Sequence, residues 1–121
     1  MKMMTTTRER DGVTIVDISG RMVLGPENAA IRELVYDLLS KGHRKILFNL
    51  GEVNYIDSSG LGSLVMALTS VRKQHGELKL LNLAKRVQDL IQLTRLYTVF
   101  DIMSDEAVAV KSFSQATAVA A

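Results

Sequence analysis

The most informative segment of this chain reads Ile56-Asp57-Ser58-Ser59-Gly60-Leu61-Gly62. It follows a short apolar run at residues 45–50, typical of a strand that is covered on both faces. It precedes residues 61–71, in which leucine and valine recur with helical spacing. A carboxylate, two hydroxyls and two glycines therefore lie where a strand passes into a helix. Free backbone N–H groups and the positive end of the helix dipole favour an anion, such as a phosphate, at that position.

The segment has two interpretations when only its residues are considered. Asp57 or Ser58 could simply cap the helix, because Asp and Ser are preferred N-cap residues. Against this, Gly60 and Gly62 each cost about 1 kcal/mol relative to alanine in a helix interior. Two such costs in one turn predict that another group, either a docking partner or an attached phosphate, comes close to the backbone.

The elements on either side of this segment alternate between strand and helix. Residues 3–18 are predicted to form two strands joined at Asp11-Gly12, a favourable hairpin pair, and Gly20 is expected to end the second strand. Further strands are predicted over 45–50, 77–81 and 99–103, and helices over about 26–42, 58–76, 85–93 and 104–110. Helical crossovers predict an α/β fold: a mostly parallel, mixed β-sheet with an N-terminal antiparallel hairpin strand, packed against about four α-helices. We expect a single domain over residues 1–121 with its core at about 3–112, and a frayed tail at 113–121.

The composition excludes several classes of protein. The 121 residues contain no cysteine, which excludes disulfides, thiolate catalysis and metal sites with Cys ligands. A formal net charge of +2 and an aromatic content of 5% offer little to hold a nucleic acid or a membrane surface. The sequence has neither the apolar core of a signal peptide nor an apolar stretch that could span a membrane. We therefore expect a cytoplasmic location and a partner that is neither nucleic acid nor membrane.

Other chemical motifs are missing or weak. The residue two positions before Ser58 is not glycine, as a nucleophile elbow requires, and no lysine follows Gly62 as in a phosphate-binding loop. His43 and His75 lie beside glycines that end predicted helices, and we interpret them as partners of the helix C-termini. No catalytic residue, metal or cofactor is predicted. The remaining features have structural interpretations: the scattered bases as a solvated face, and the methionines, including Met66 and Met103, as core filler.

The middle of the chain resembles the signature of STAS domains, in particular bacterial anti-sigma factor antagonists. The resemblance is carried by Asn49-Leu50, the apolar spacing through Val53 and Tyr55, and the run from Ile56 to Gly62. The resemblance extends from Val13 to about Phe113. It implies a non-enzymatic adaptor that binds an anti-sigma factor with serine-kinase activity and thereby releases a sigma factor. It also implies that this kinase phosphorylates Ser58, that binding is then lost, and that a metal-dependent (PP2C-type) serine phosphatase restores it. A monomer is expected, because such antagonists work as small adaptors.

The resemblance also assigns roles. Ser58 is the phosphorylation site, with Ser59 as a second acceptor or a helix cap, and Asp57 orients the hydroxyl, holds the loop or contacts the partner. Gly60 and Gly62 let the partner's backbone approach, and Leu61 belongs to the same surface.

One loop departs from the family pattern. The acidic residue expected after Gly20 is replaced by Val23 or Leu24. Met22, Val23 and Leu24 form either an apolar docking patch or a cover for the edge of the core. Two other functions stay open for the chain: a scaffold or accessory subunit of a signalling or lipid-transport complex, and a small-ligand binder that uses the helix N-terminus.

Overall fold

One mixed β-sheet organises the chain, and the computed structural model describes residues 3–23 and 25–113. The strands are β1 (Met4–Arg10), β2 (Val13–Met22), β3 (Lys45–Ile56), β4 (Glu77–Leu81) and β5 (Ile102–Met103). The helices are α1 (Pro26–Ser40), α2 (Ser58–Lys73), α3 (Lys85–Leu93) and α4 (Glu106–Ser112), with a 3-10 turn at Leu96–Thr98. The predicted α/β class with its four helices is confirmed.

The strands lie in the sheet in the same order as in the chain. β1 pairs antiparallel with β2, and β2, β3, β4 and β5 pair parallel to one another. Asp11 and Gly12 both have positive φ, 50° and 82°, as a tight hairpin turn requires. The parallel register brings the carboxyl ends of β2 and β3 together, since Met22 pairs with Ile56. The segment at 56–62 therefore begins beside the end of β2.

The core lies on both faces of the sheet. On one face, α1, α2 and α3 pack against side chains such as Ile46 and Phe48, which are fully buried. On the other face, α4 covers a smaller cluster that includes Ile15 and Leu47. Because β3 is covered on both faces in this way, its apolar run lacks the alternation of a half-exposed strand.

Several boundaries differ from the sequence predictions. β3 runs to Ile56, six residues beyond the strand predicted at 45–50. Gly20 does not end β2; it has φ of 95° and lies between register irregularities, while pairing with β3 continues the strand to Met22. The last strand is only two residues long, because the chain is still turning at the start of the predicted segment, where the N–H groups of Val99 and Phe100 donate to the Leu96 carbonyl oxygen. Phe113, expected in the frayed tail, is buried with its ring 4.9 Å from the Lys79 Nζ. Residues 114–121 lie outside the described residues, and a single domain over 1–121 stays a prediction.

Two side-chain predictions also change. Met66 is not core filler, since 41% of it is exposed on α2, whereas Met103 packs partly buried beside the α4 cluster. The His43 Nδ1 lies 2.9 Å from the hydroxyl of Thr14, a buried residue, so this histidine has a hydrogen-bonding role. None of the helices in the described ranges is both long and apolar enough to cross a membrane.

Candidate functional site

The candidate site is the first turn of α2, at the carboxyl end of β3. Asp57 is the N-cap residue: its backbone is extended, and its Oδ1 accepts a hydrogen bond of 2.9 Å from the Gly60 N–H. The Leu61 N–H donates to the Asp57 carbonyl oxygen at 2.9 Å, which begins the helical ladder. Asp57 thus holds the loop in a fixed position, one of the roles expected for it.

The end of β2 also holds this turn in place. The Asp57 N–H donates to the Met22 carbonyl oxygen at 3.2 Å, across the parallel pair of β2 and β3. The segment after β2 is therefore attached directly to the residue that precedes Ser58. A partner that binds at the start of α2 would meet the half-exposed Val23 as well.

The two glycines of the motif have different environments. A Cβ on Gly60 would overlap the Met22 carbonyl oxygen and would lie 2.9 Å from the Ile56 Cγ1. A Cβ on Gly62 would have no atom within 4 Å. Glycine is therefore needed at position 60 for packing within the chain, and the approach of a partner's backbone there stays a prediction. At position 62 the space is open, and partner approach stays a prediction.

Ser58 is the first helical residue and is exposed to solvent. Within the described part of the chain its hydroxyl has no hydrogen-bond partner. An anion on this side chain would lie beside the positive end of the helix dipole and the free N–H groups of the first turn. The site can therefore carry a phosphate on Ser58 without loss of a hydrogen bond to any described residue.

The other predicted residues contribute less exposed surface. Ser59 is half-buried, and its carbonyl oxygen accepts a hydrogen bond of 3.2 Å from the Ser63 Oγ. A helix cap was one of the roles expected for Ser59, but Asp57 makes that cap. Met22 and Leu61 are buried in the core. The burial of Met22 agrees with the second interpretation of its loop, in which the loop covers the edge of the core instead of forming a docking patch. Val23 is half-exposed, and Leu24 lies outside the described residues.

Sequence reasoning missed an exposed pair near this turn. The Arg21 guanidinium lies 4.9 Å from the centroid of the Tyr55 ring, in cation–π range, and the two residues are register partners in β2 and β3. Both are exposed, Tyr55 by 37%. Only the register between the strands could have revealed the pair, because 34 positions separate the two residues in the chain.

The strongest charge cluster lies on the opposite side of the sheet from α2. Arg8 and Arg10 of β1 both bind Glu106 of α4, at 2.6 and 2.8 Å. Hydrogen bonds from Arg8 and then Arg10 lower the pKa of Glu106 to about 2. The hydrogen bond from Arg8 is also the main cause that lowers the pKa of Asp17, to which the Asn49 Nδ2 donates at 2.8 Å. This network therefore holds α4 against the hairpin of β1 and β2.

No group of three or more His, Cys, Asp or Glu side chains in the described residues is arranged to hold a metal ion. The first turn of α2 offers the exposed Ser58 hydroxyl, a capped backbone and a surface of small side chains. Such an arrangement can accept a modification and bind a protein.

Comparisons with known proteins identify a matching family, similar proteins and similar structures. A family model described as the STAS domain matches residues 4–109. The chain is 27% identical over 117 residues to a candidate anti-sigma factor antagonist of Bordetella bronchiseptica, covering 94% of this chain and 97% of that protein. It is 39% identical over 72 residues to the anti-sigma-B factor antagonist of Bacillus subtilis, covering 60% and 65%. The crystal structure of a candidate anti-sigma factor antagonist from Thermotoga maritima is similar, with a TM-score of 0.83, 25% identity, and coverage of 90% and 93%.

Proposed function

The chain belongs to the STAS-domain family, and on that premise we propose that it acts as an anti-sigma factor antagonist. It binds an anti-sigma factor through the first turn of α2 and so releases the sigma factor which that protein holds. It works in the cytoplasm as a monomeric adaptor and catalyses no reaction itself. The observation that carries the proposal is the exposed Ser58 hydroxyl, which has no hydrogen-bond partner among residues 3–23 and 25–113 and lies at the start of a capped helix.

Phosphorylation of Ser58 switches this binding off. A phosphate adds about −1.5 to −2 charges at neutral pH. The helix N-terminus tolerates this charge, because the dipole and the free N–H groups stabilise it. A partner surface that fits the uncharged serine must instead desolvate a dianion, so the complex is lost while the fold is kept.

Two enzymes would act on this site. The anti-sigma factor is the serine kinase, and a PP2C-type serine phosphatase removes the phosphate. Val23 and Gly62 complete the exposed surface around Ser58, since one is half-exposed and the other opens to solvent. Binding and modification therefore compete for the same surface.

The test is a phosphorylation assay combined with a binding assay. The purified chain is incubated with Mg-ATP and each serine-kinase anti-sigma factor of the genome that encodes it, and the modified residue is mapped by mass spectrometry. We expect phosphate on Ser58, lost in Ser58→Ala and kept in Ser59→Ala. In titration calorimetry, Ser58→Ala should bind like the wild type, and Ser58→Asp should lose at least tenfold in affinity.

A second candidate function is a scaffold or accessory subunit without a phospho-switch. The observation that favours it is that Asp57 caps α2 and Gly60 accommodates Met22, so two motif residues have roles within the chain. In this case no kinase modifies Ser58, and Ser58→Asp binds its partners like the wild type. That result would overturn the switch.

A further inference from the structure

A groove of about 540 Å³ runs between α1 and α2 on the outer surface of the helical layer. Its volume lies within the range of natural binding pockets. Val35 and Ala67 lie buried at its base, whereas Tyr36 and Met66 are 71% and 41% exposed. The segment of α1 that lines it, residues 32–40, rises about 12 Å at 1.5 Å per residue. The groove therefore has room for about two turns of a helix.

The side of α2 that borders this groove has no charged residue for most of its length. From residue 58 to residue 71 the helix contains no Asp, Glu, Lys or Arg, although Gly62, Met66 and Thr69 are exposed. A helix on the surface of a protein usually turns charged and polar side chains toward water. An uncharged exposed face is typical of a surface that another protein covers.

The charged residues that are described at this groove are positive. Arg32 of α1 and Lys73 in the last turn of α2 line it, and no Asp or Glu among the described side chains does. Neither of these two residues has an ion pair with any residue of the described ranges. Two unpaired cations beside an apolar groove are complementary to an apolar segment that carries carboxylates.

The groove is continuous with the site at Ser58. Ser63 lines the groove, and its hydroxyl donates to the carbonyl of Ser59 in the first turn of the helix. Met66 follows Ser58 by eight residues, which is about 12 Å along the axis. One partner of ordinary interface size, about 800 Å² on each side, covers both places.

We infer that the groove between α1 and α2 receives an apolar segment flanked by acidic side chains, and that this segment belongs to the same anti-sigma factor that contacts Ser58. This inference rests on the proposed function. The groove supplies affinity that does not depend on the state of Ser58, whereas Ser58 supplies the switch. Partner choice then depends on Met66 and on the two cations.

The test uses titration calorimetry with each serine-kinase anti-sigma factor of the same genome. Met66→Asp places a carboxylate in the apolar groove, and Lys73→Glu reverses one of its charges. We expect each to weaken binding at least tenfold, and Lys73→Gln to reduce the dependence of affinity on salt concentration. Val108→Asp and Lys111→Glu are the controls: they add a carboxylate and reverse a charge on the exposed part of α4, which packs on the other face of the sheet. Both controls should bind like the wild type. Urea unfolding of every variant separates lost binding from lost folding.

The outcomes separate the two proposals. If the wild type binds and Ser58→Asp abolishes binding, but Met66→Asp and Lys73→Glu bind like the wild type, the groove inference is wrong and the proposed function stands. If the wild type binds none of the kinases, both are wrong. If sedimentation shows that the wild type self-associates and that Met66→Asp dissociates it, a second copy occupies the groove and the inference is again wrong.

Discussion

Replacing Gly60 by alanine tests the conclusion that this glycine is required by the chain's own packing. The added Cβ would overlap the Met22 carbonyl oxygen and lie 2.8 Å from the Met22 carbonyl carbon. These neighbours are backbone atoms, so they cannot rotate away as a side chain would. Either the end of β2 or the first turn of α2 must shift.

Gly62→Ala is the matched control. It lies two residues further along the same helix, and its Cβ would meet no atom within 4 Å. Both substitutions gain about 1 kcal/mol of helix propensity. Overpacking of a tight site costs about 1–3 kcal/mol, and contact with backbone places Gly60 at the upper end.

The expected result is therefore a divergence between the two variants. Gly62→Ala should be more stable than the wild type by about 1 kcal/mol, and Gly60→Ala less stable by about 2 kcal/mol. At a urea slope of about 2 kcal/mol/M, their unfolding midpoints should differ by about 1.5 M. Equal midpoints would refute the argument, because the site would then relax without cost.

Three other substitutions test separate features. Glu106→Gln should lower the free energy of unfolding by about 1 kcal/mol at pH 7, as is typical of partly exposed ion pairs. The pKa of Glu106 is lowered from 4.5 to about 2, so the stability that the charged carboxylate gives to the fold should be lost as the pH falls through this range. The difference in urea midpoint between this variant and the wild type should therefore close near pH 2. Asp57→Ala removes the N-cap and should lower the free energy of unfolding by about 1 kcal/mol, whereas Asp57→Asn should keep most of this stability. Thermal unfolding measures both variants, and equal losses would contradict the capping role of Asp57. Phe113→Ala should cost about 3 kcal/mol in urea unfolding, because the ring is 2% exposed, whereas Val108→Ala, on an exposed side chain, should change little; a near-neutral Phe113→Ala would contradict the docking of this residue.

Local patterns predicted most of the fold correctly. The strand at 77–81 and the helix at 85–93 have the predicted bounds, because apolar spacing and flanking turn residues mark both. The hairpin at Asp11-Gly12 follows from residues that tolerate positive φ. These signals act within a few residues of each other, so the sequence contains them directly.

The candidate site was predicted less completely. A cap made by Asp57 or Ser58 was one of the two interpretations of the motif, and Asp57 is the residue that caps α2. Met66 was expected in the core but is exposed, because helical spacing alone does not say which side of a helix its neighbours cover. Its exposure depends on how α1 packs against α2, and this arrangement also creates the groove.

The sequence by itself determined the order of the elements, the parallel sheet and the position of Ser58 at a helix N-terminus, because spacing and capping preferences are local. Only the tertiary structure decided that Gly60 faces Met22 and that Arg21 meets Tyr55. These contacts depend on the register of β2 against β3, which pairs residues more than 30 positions apart. Register is set when a whole sheet packs against its helices, and no short stretch of sequence encodes it.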